Sequence, residues 1–195
     1  MIPIATLLGG YRTGYFPMAV DGGVRWFSPG QRGVIPLDRF RATRRLARML
    51  RQRRFRCTVN QAFRDVIAAC ASRADPHGNW IDEEILESYC LLHRAGYAHS
   101  VEVWDREQLV GGLYGVSLRG AFFGESMFHR VRDTSKVALC CLVSRLRDRG
   151  YRLLDVQWIT PHLRQFGAVE IPRSRFLTIL GESMRRHCEF DEPSD

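Results

Sequence analysis

Apolar positions along this chain change period near its middle, from the three-to-four-residue spacing of helices to the two-residue alternation of strands. Ile4, Leu7, Leu8 and Tyr11 fall on one helical stripe, which Gly14 and Pro17 close. The stretch from there to Pro36 is broken by glycine and proline and reads as turns. Thr43 can cap a helix whose apolar face is Leu46, Met49 and Leu50 and whose other faces are arginine. FRCTVN (55–60) reads as a short strand, and Phe63, Val66, Ile67 and Cys70 mark the helix after it. Beyond the polar loop ADPHGNW (74–80) a helix spans Glu83 to His93. Residues 98–104, 108–116 and 121–128 then alternate as three strands of an antiparallel meander, with DREQ and LRG as turns. A helix from Ser135 to Arg149, a strand from Leu153 to Trp158, a short helix, a strand from Ala168 to Ile171 and a final helix complete the order.

That order predicts an α+β fold, a mixed sheet with packed helices preceded by a small, mostly helical N-terminal domain. The expected division is residues 1–58, carrying the basic helix, and residues 59–195, carrying the sheet. A chain of 195 residues, 45% of them apolar, can bury one good core or two small ones sharing a surface.

Charge adds a partner to this picture. The net charge of +8 is carried by arginine, since Lys136 is the sole lysine, and such an excess is the footprint of a polyanion binder. Arg39, Arg41, Arg44, Arg45, Arg48, Arg51, Arg53, Arg54 and Arg56 crowd the basic helix with no acid among them before Asp65. The six cysteines include no C-x-x-C pair and no metal-ligand spacing, and most read as core thiols. The N-terminus lacks a basic segment followed by a long apolar one, and no run approaches membrane-spanning length. A reducing cytoplasm and no membrane partner are therefore expected.

Candidate chemistry concentrates in the strand region. GGLYGVSLRGAFFGESMFH (111–129) sets Glu125 among Phe122, Phe123, Met127 and Phe128, where an ionised carboxylate is costly unless paired or hydrogen-bonded. Asp155 and Gln157 share one face of the next strand by its two-residue period, and Ser135 and Lys136 begin a helix.

GYFPM (14–18), WFSP (26–29), NWI (79–81), AHSVEVW (98–104), LVGGLYGV, GESMF, SK and D-x-Q follow one another in an order that resembles the leucyl/phenylalanyl-tRNA–protein transferases over nearly the whole chain. The resemblance implies an acetyltransferase-like catalytic domain. It implies transfer of Leu or Phe from aminoacyl-tRNA to the N-terminal α-amine of proteins beginning with Arg or Lys, marking them for N-degron degradation. No cofactor or metal is expected, and the protein is expected to be a monomer. By the same resemblance Asp155 orients or polarises Gln157 at the attacking nitrogen, and Glu125 binds an α-amino group of donor or acceptor. Leu113, Phe122, Met127, Leu139, Leu142 and Leu154 correspond to the aminoacyl pocket, although periodicity alone would read them as core.

Trp80 corresponds to the tryptophan that stacks on the terminal adenosine. Arg41, Arg44, Arg45, Arg48 and Arg51 are expected on tRNA phosphates, and Lys136 and Ser135 on a phosphate or the terminal ribose. The chain departs from the pattern in two ways. It begins almost at the first motif helix, without the longer N-terminal segment associated with the family, and Met18 stands where many members carry tryptophan. Weaker stacking, or compensation by Trp26, Phe27 or Tyr15, is expected. Two other readings compete: an acetyl-CoA-dependent N-acetyltransferase, whose glycine-rich pyrophosphate turn is missing from RVRDTSK (130–136), and a noncatalytic RNA-binding module.

Overall fold

The computed structural model describes residues 1–52, 54–73 and 80–191. The helices there are α1 (Ile4–Arg12), α2 (Arg44–Arg51), α3 (Phe63–Ala71), α4 (Glu83–Arg94), α5 (Thr134–Asp148), α6 (Pro161–Arg164) and α7 (Arg173–Ser183). The strands are β1 (Phe16–Val20), β2 (Gly23–Phe27), β3 (Gln31–Val34), β4 (Arg56–Val59), β5 (Ala98–Asp105), β6 (Gln108–Leu118), β7 (Ala121–His129), β8 (Leu153–Gln157) and β9 (Val169–Pro172). The α+β class and the mixed sheet expected from the sequence are both present.

β1 and β2 form an antiparallel ribbon, and the other seven strands form one sheet in the order β4-β5-β6-β7-β8-β3-β9. β7 and β8 run parallel, because α5 crosses the sheet between them, and the other neighbours run antiparallel. Alternation along the strands separates two apolar layers. Tyr114 and Phe123 face α1, α3 and α4, where they meet Leu7, Tyr11, Val66, Ile67, Ile85 and Tyr89. Leu113, Phe122 and Leu154 belong to the other layer, with Val137, Leu142 and Leu146 of α5. Polar ends fix where the helices start: the Thr43 hydroxyl accepts from the Leu46 amide at 3.3 Å, and the Asp82 carboxylate accepts from the Ile85 amide at 2.8 Å.

The segment up to Pro36, expected as turns, instead holds three short strands. β1 and β2 are five residues each and turn at Asp21 and Gly22, both at positive φ. β3 is four residues long and bulges between Gly33 and Val34. Strands so short and interrupted show no alternation from which a period can be read. The division expected at residue 58 falls inside β4, which pairs with β5 in the large sheet. Cys57 of β4 and Cys141 of α5 are joined as a disulfide, and the other four cysteines are thiols, buried at Cys70 and Cys90 and half-buried at Cys140 and Cys188.

Candidate active site

The register of β7 with β8 runs only from Ala121↔Leu153 to Phe123↔Asp155. Beyond it the strands part, and a cavity of about 440 Å³ opens between Gly124–Met127 on one side and Val156–Trp158 on the other. A bulge opposite Gly115 helps to bend β7 away, and a side chain on Gly115 would collide with the Phe123 carbonyl and the Phe122 ring. The site is thus a gap made by two strands that separate.

Glu125 stands in the wall of this gap. The Tyr11 hydroxyl lies 2.7 Å from its Oε1 and the Tyr89 hydroxyl 3.3 Å from its Oε2, and the two tyrosine hydroxyls also touch each other, so two hydroxyl protons are shared among three contacts. Burial pushes the Glu125 carboxyl up to about 8; the Tyr11 hydrogen bond opposes this, the nearby Asp155 charge adds to it, and Tyr89 and Arg32 oppose it more weakly. Tyr114, fully buried beside them, has a hydroxyl with no partner among the described residues and also lines the cavity.

Asp155 is held elsewhere. Arg32 of β3 donates from Nε to Oδ1 at 2.8 Å and from Nη2 to Oδ2 at 2.6 Å, a two-pronged pair in which both side chains are at most 1% exposed. The guanidinium also donates to the Gly14 carbonyl at 3.1 Å and lies between the Phe16 and Phe176 rings, 4.7 and 4.5 Å from their centres. Asp155 Oδ1 further accepts the Gln157 backbone amide at 3.0 Å. The carboxylate therefore orients Gln157 through its main chain and not through its side-chain amide. The Trp158 amide donates to the Val156 carbonyl at 2.7 Å, closing a three-residue turn around Gln157, whose φ is +56°. Gln157 Nε2 is buried in the cavity wall with no partner among the described residues.

Of the expected pocket residues, Leu113, Met127, Leu139, Leu142 and Leu154 line the cavity, as do Trp80 and Ser135. Phe122 does not; its ring stacks at 5.2 Å on Phe190 in the core behind. Met18 lines a smaller adjoining cavity of about 50 Å³, with Phe16, Trp80, Glu125, Gln157 and Trp158. Lys136 is bound at 2.8 Å to Asp133, which also holds Arg45 at 2.8 Å, and Lys136 leads the charges that keep this carboxyl below its ordinary range. Arg41 donates to the Asp38 and Phe40 carbonyls, and Arg54 pairs with Asp105. Arg44, Arg48 and Arg51 are exposed and make no ion pair among the described residues. Arg53, Asn79 and the rest of loop 74–79 lie outside the described residues.

Sequence reasoning missed Arg32, Tyr11 and Tyr89 as site residues. The partners they hold lie 123, 114 and 36 residues away, and no local period reports such pairings. Trp158, counted only as the end of a strand, was legible as an aromatic directly after D-x-Q.

The cavity is thus an apolar slot that ends in a carboxylate and an unpaired amide, and its relatives make the protein an aminoacyltransferase. The family model of leucyl/phenylalanyl-tRNA protein transferase matches residues 34–181, and that of its N-terminal domain residues 1–30. A leucyl/phenylalanyl-tRNA–protein transferase of Rhodopseudomonas palustris (strain HaA2) is 51% identical over 189 residues, covering 95% of this chain and 84% of the relative. The proteins of that name from Chlorobaculum parvum and Herpetosiphon aurantiacus are 48% and 47% identical, covering 97% and 94% of this chain and 100% and 95% of their own lengths. Among solved structures, that of L-PGS from Bacillus licheniformis is similar at a TM-score of 0.44 and 13% identity, over 80% of this chain and 53% of that one. The chain belongs to the leucyl/phenylalanyl-tRNA protein transferase family.

Proposed function

We propose that the protein transfers Leu or Phe from aminoacyl-tRNA to the N-terminal α-amine of proteins beginning with Arg or Lys, acting as a cytoplasmic monomer. The observation that carries the reading is the junction at which an apolar slot meets Glu125 and the unpaired Gln157 amide. Leu and Phe are apolar and unbranched at Cβ, which suits a slot walled by leucines and the adaptable Met127. The preference for Arg or Lys, and the N-degron fate of the product, rest on the family resemblance.

In this reading the amine nitrogen attacks the ester carbonyl, the bond from that carbon to the ribose oxygen breaks, and no covalent enzyme intermediate is needed. An α-ammonium has an ordinary pKa of about 7.7–8.0. Glu125, pushed up to about 8, is matched to it, so the carboxylate can take one ammonium proton at little cost in free energy. The second proton lost on forming the amide goes to the departing ribose oxygen. Gln157 Nε2 donates to the tetrahedral oxyanion. Asp155, with both oxygens occupied, is a positioning residue. The acetyltransferase alternative would need a glycine-rich turn of exposed amides before α5 to hold pyrophosphate, and RVRDTSK (130–136) has no glycine.

Purified protein given Leu- or Phe-charged tRNA and a peptide starting with Arg should lengthen that peptide by one residue without nucleotide or metal, as read by mass spectrometry. No extension, together with acetylation of the same peptide by acetyl-CoA, overturns the proposal.

A further inference from the structure

We infer that Trp158 is a stacking wall for the adenine of the donor's terminal nucleoside, an inference that rests on the function proposed above. In any aminoacyl-tRNA the acyl group is esterified to the ribose of the last nucleoside, an adenosine. With the ester at Glu125 and Gln157, its base lies one ribose away. Both residues also line the smaller cavity, whose remaining walls are Phe16, Met18, Trp80 and Trp158. Single-stranded ends are gripped by flat aromatic faces, so Trp80 needs an opposing wall, and Met18 offers only a thioether.

Trp158 is built for that part. It is 44% exposed, a large apolar surface left open to solvent, yet it is rigidly backed. Its ring stands edge-on to Phe16 at 5.0 Å and to Phe27 at 6.3 Å. The turn at Gln157 redirects the chain just before it, and β3 presses close behind, where a Cβ on Gly33 would come within 3.0 Å of the Trp158 carbonyl carbon. A wall held in place before binding loses little freedom when a base stacks on it. The other aromatics expected to compensate for Met18 are engaged elsewhere or set behind: Trp26 packs on Gly10 of α1, the Tyr15 hydroxyl takes a bond from Arg173 at 3.0 Å, and Phe27 backs Trp158.

The test uses the full chain, phenylalanyl-adenosine and Phe-charged tRNA as donors, and an Arg-initiated peptide as acceptor. Trp158→Ala should raise KM for both donors about tenfold or more, the scale of one lost base stack, with kcat and peptide KM little changed. Trp158→Phe should recover most of the loss. Unchanged donor KM in Trp158→Ala, or a rise confined to the peptide, overturns the inference. A second readout is independent of transfer. Phenylalanyl-adenosine should quench tryptophan fluorescence in the wild type, and Trp158→Phe and Trp80→Phe should each remove a part of that quench, since both rings face the adenine. If the wild type extends no peptide but this Trp158-dependent quench remains, the functional reading fails and the stacking wall stands; if no part of the quench depends on Trp158, the wall is refuted.

Discussion

Both oxygens of Asp155 are taken up by one guanidinium, and one of them also holds a backbone amide, which leaves little capacity for a substrate proton. Its removal should therefore be felt first as instability. Asp155→Asn leaves Arg32 charged and fully buried without its counter-ion, a loss on the order of 3–5 kcal/mol. Urea denaturation should show this, and the fall in turnover should track the loosened turn. Gln157 should behave in the opposite way. Its backbone sits at φ +56°, which costs a residue with a Cβ about 1–2 kcal/mol. Gln157→Gly should then stabilise the protein by roughly 1 kcal/mol while lowering single-turnover transfer about 10²-fold, because the side chain proposed as the oxyanion donor is gone. A Gln157→Gly protein that is both less stable and active would refute the assignment. Strain retained at a position whose side chain has no partner in the free protein is characteristic of a working site.

The same logic applies to elements. α2 carries arginine on every face that does not pack, and Arg45 links it through Asp133 to Lys136 at the start of α5, so positive charge continues toward the mouth of the cavity. Charge reversal of Arg44, Arg48 and Arg51 should weaken binding of all tRNAs alike and reduce the salt dependence by about one counterion per lost contact. Transfer from phenylalanyl-adenosine, which has no such backbone, should be nearly unaffected; a salt slope equal to that of the wild type would rule out phosphate contact by α2. Elements were legible in the sequence where one face is buried over several periods. α3, α4, α5 and the meander β5 to β7 were therefore readable, whereas β1, β2 and β3 were too short to show alternation. The candidate site was legible to the extent that its own chemistry is costly, as with Glu125. Arg32, whose burial depends on β3 lying beside β8, gave no such signal.

At the scale of the whole molecule, the first thirty residues complete the site from outside the large sheet. α1 supplies the Tyr11 hydroxyl to Glu125, Gly14 supplies a carbonyl to Arg32, and Phe16 and Met18 wall the smaller cavity. Protonation of Glu125 makes this dependence measurable. In the free protein burial raises its carboxyl from 4.5 to about 8, so its contribution to stability is fully present below pH 4.5 and is lost as pH rises through about 8. Denaturation at a series of pH values should show that decline, and Glu125→Gln should remove it. Tyr11→Phe deletes the hydrogen bond that most strongly opposes the rise, while keeping the ring that packs 4.8 Å from Phe123. Glu125 should then lose its proton only at still higher pH. The alkaline-going limb of the transfer rate should move upward, with peptide and donor KM values little altered. Tyr89→Phe should produce a smaller shift in the same direction, since its bond is the longer of the two. A rate profile unmoved by Tyr11→Phe would mean that Glu125 does not take the amine proton, and its place would then be that of a binding group alone.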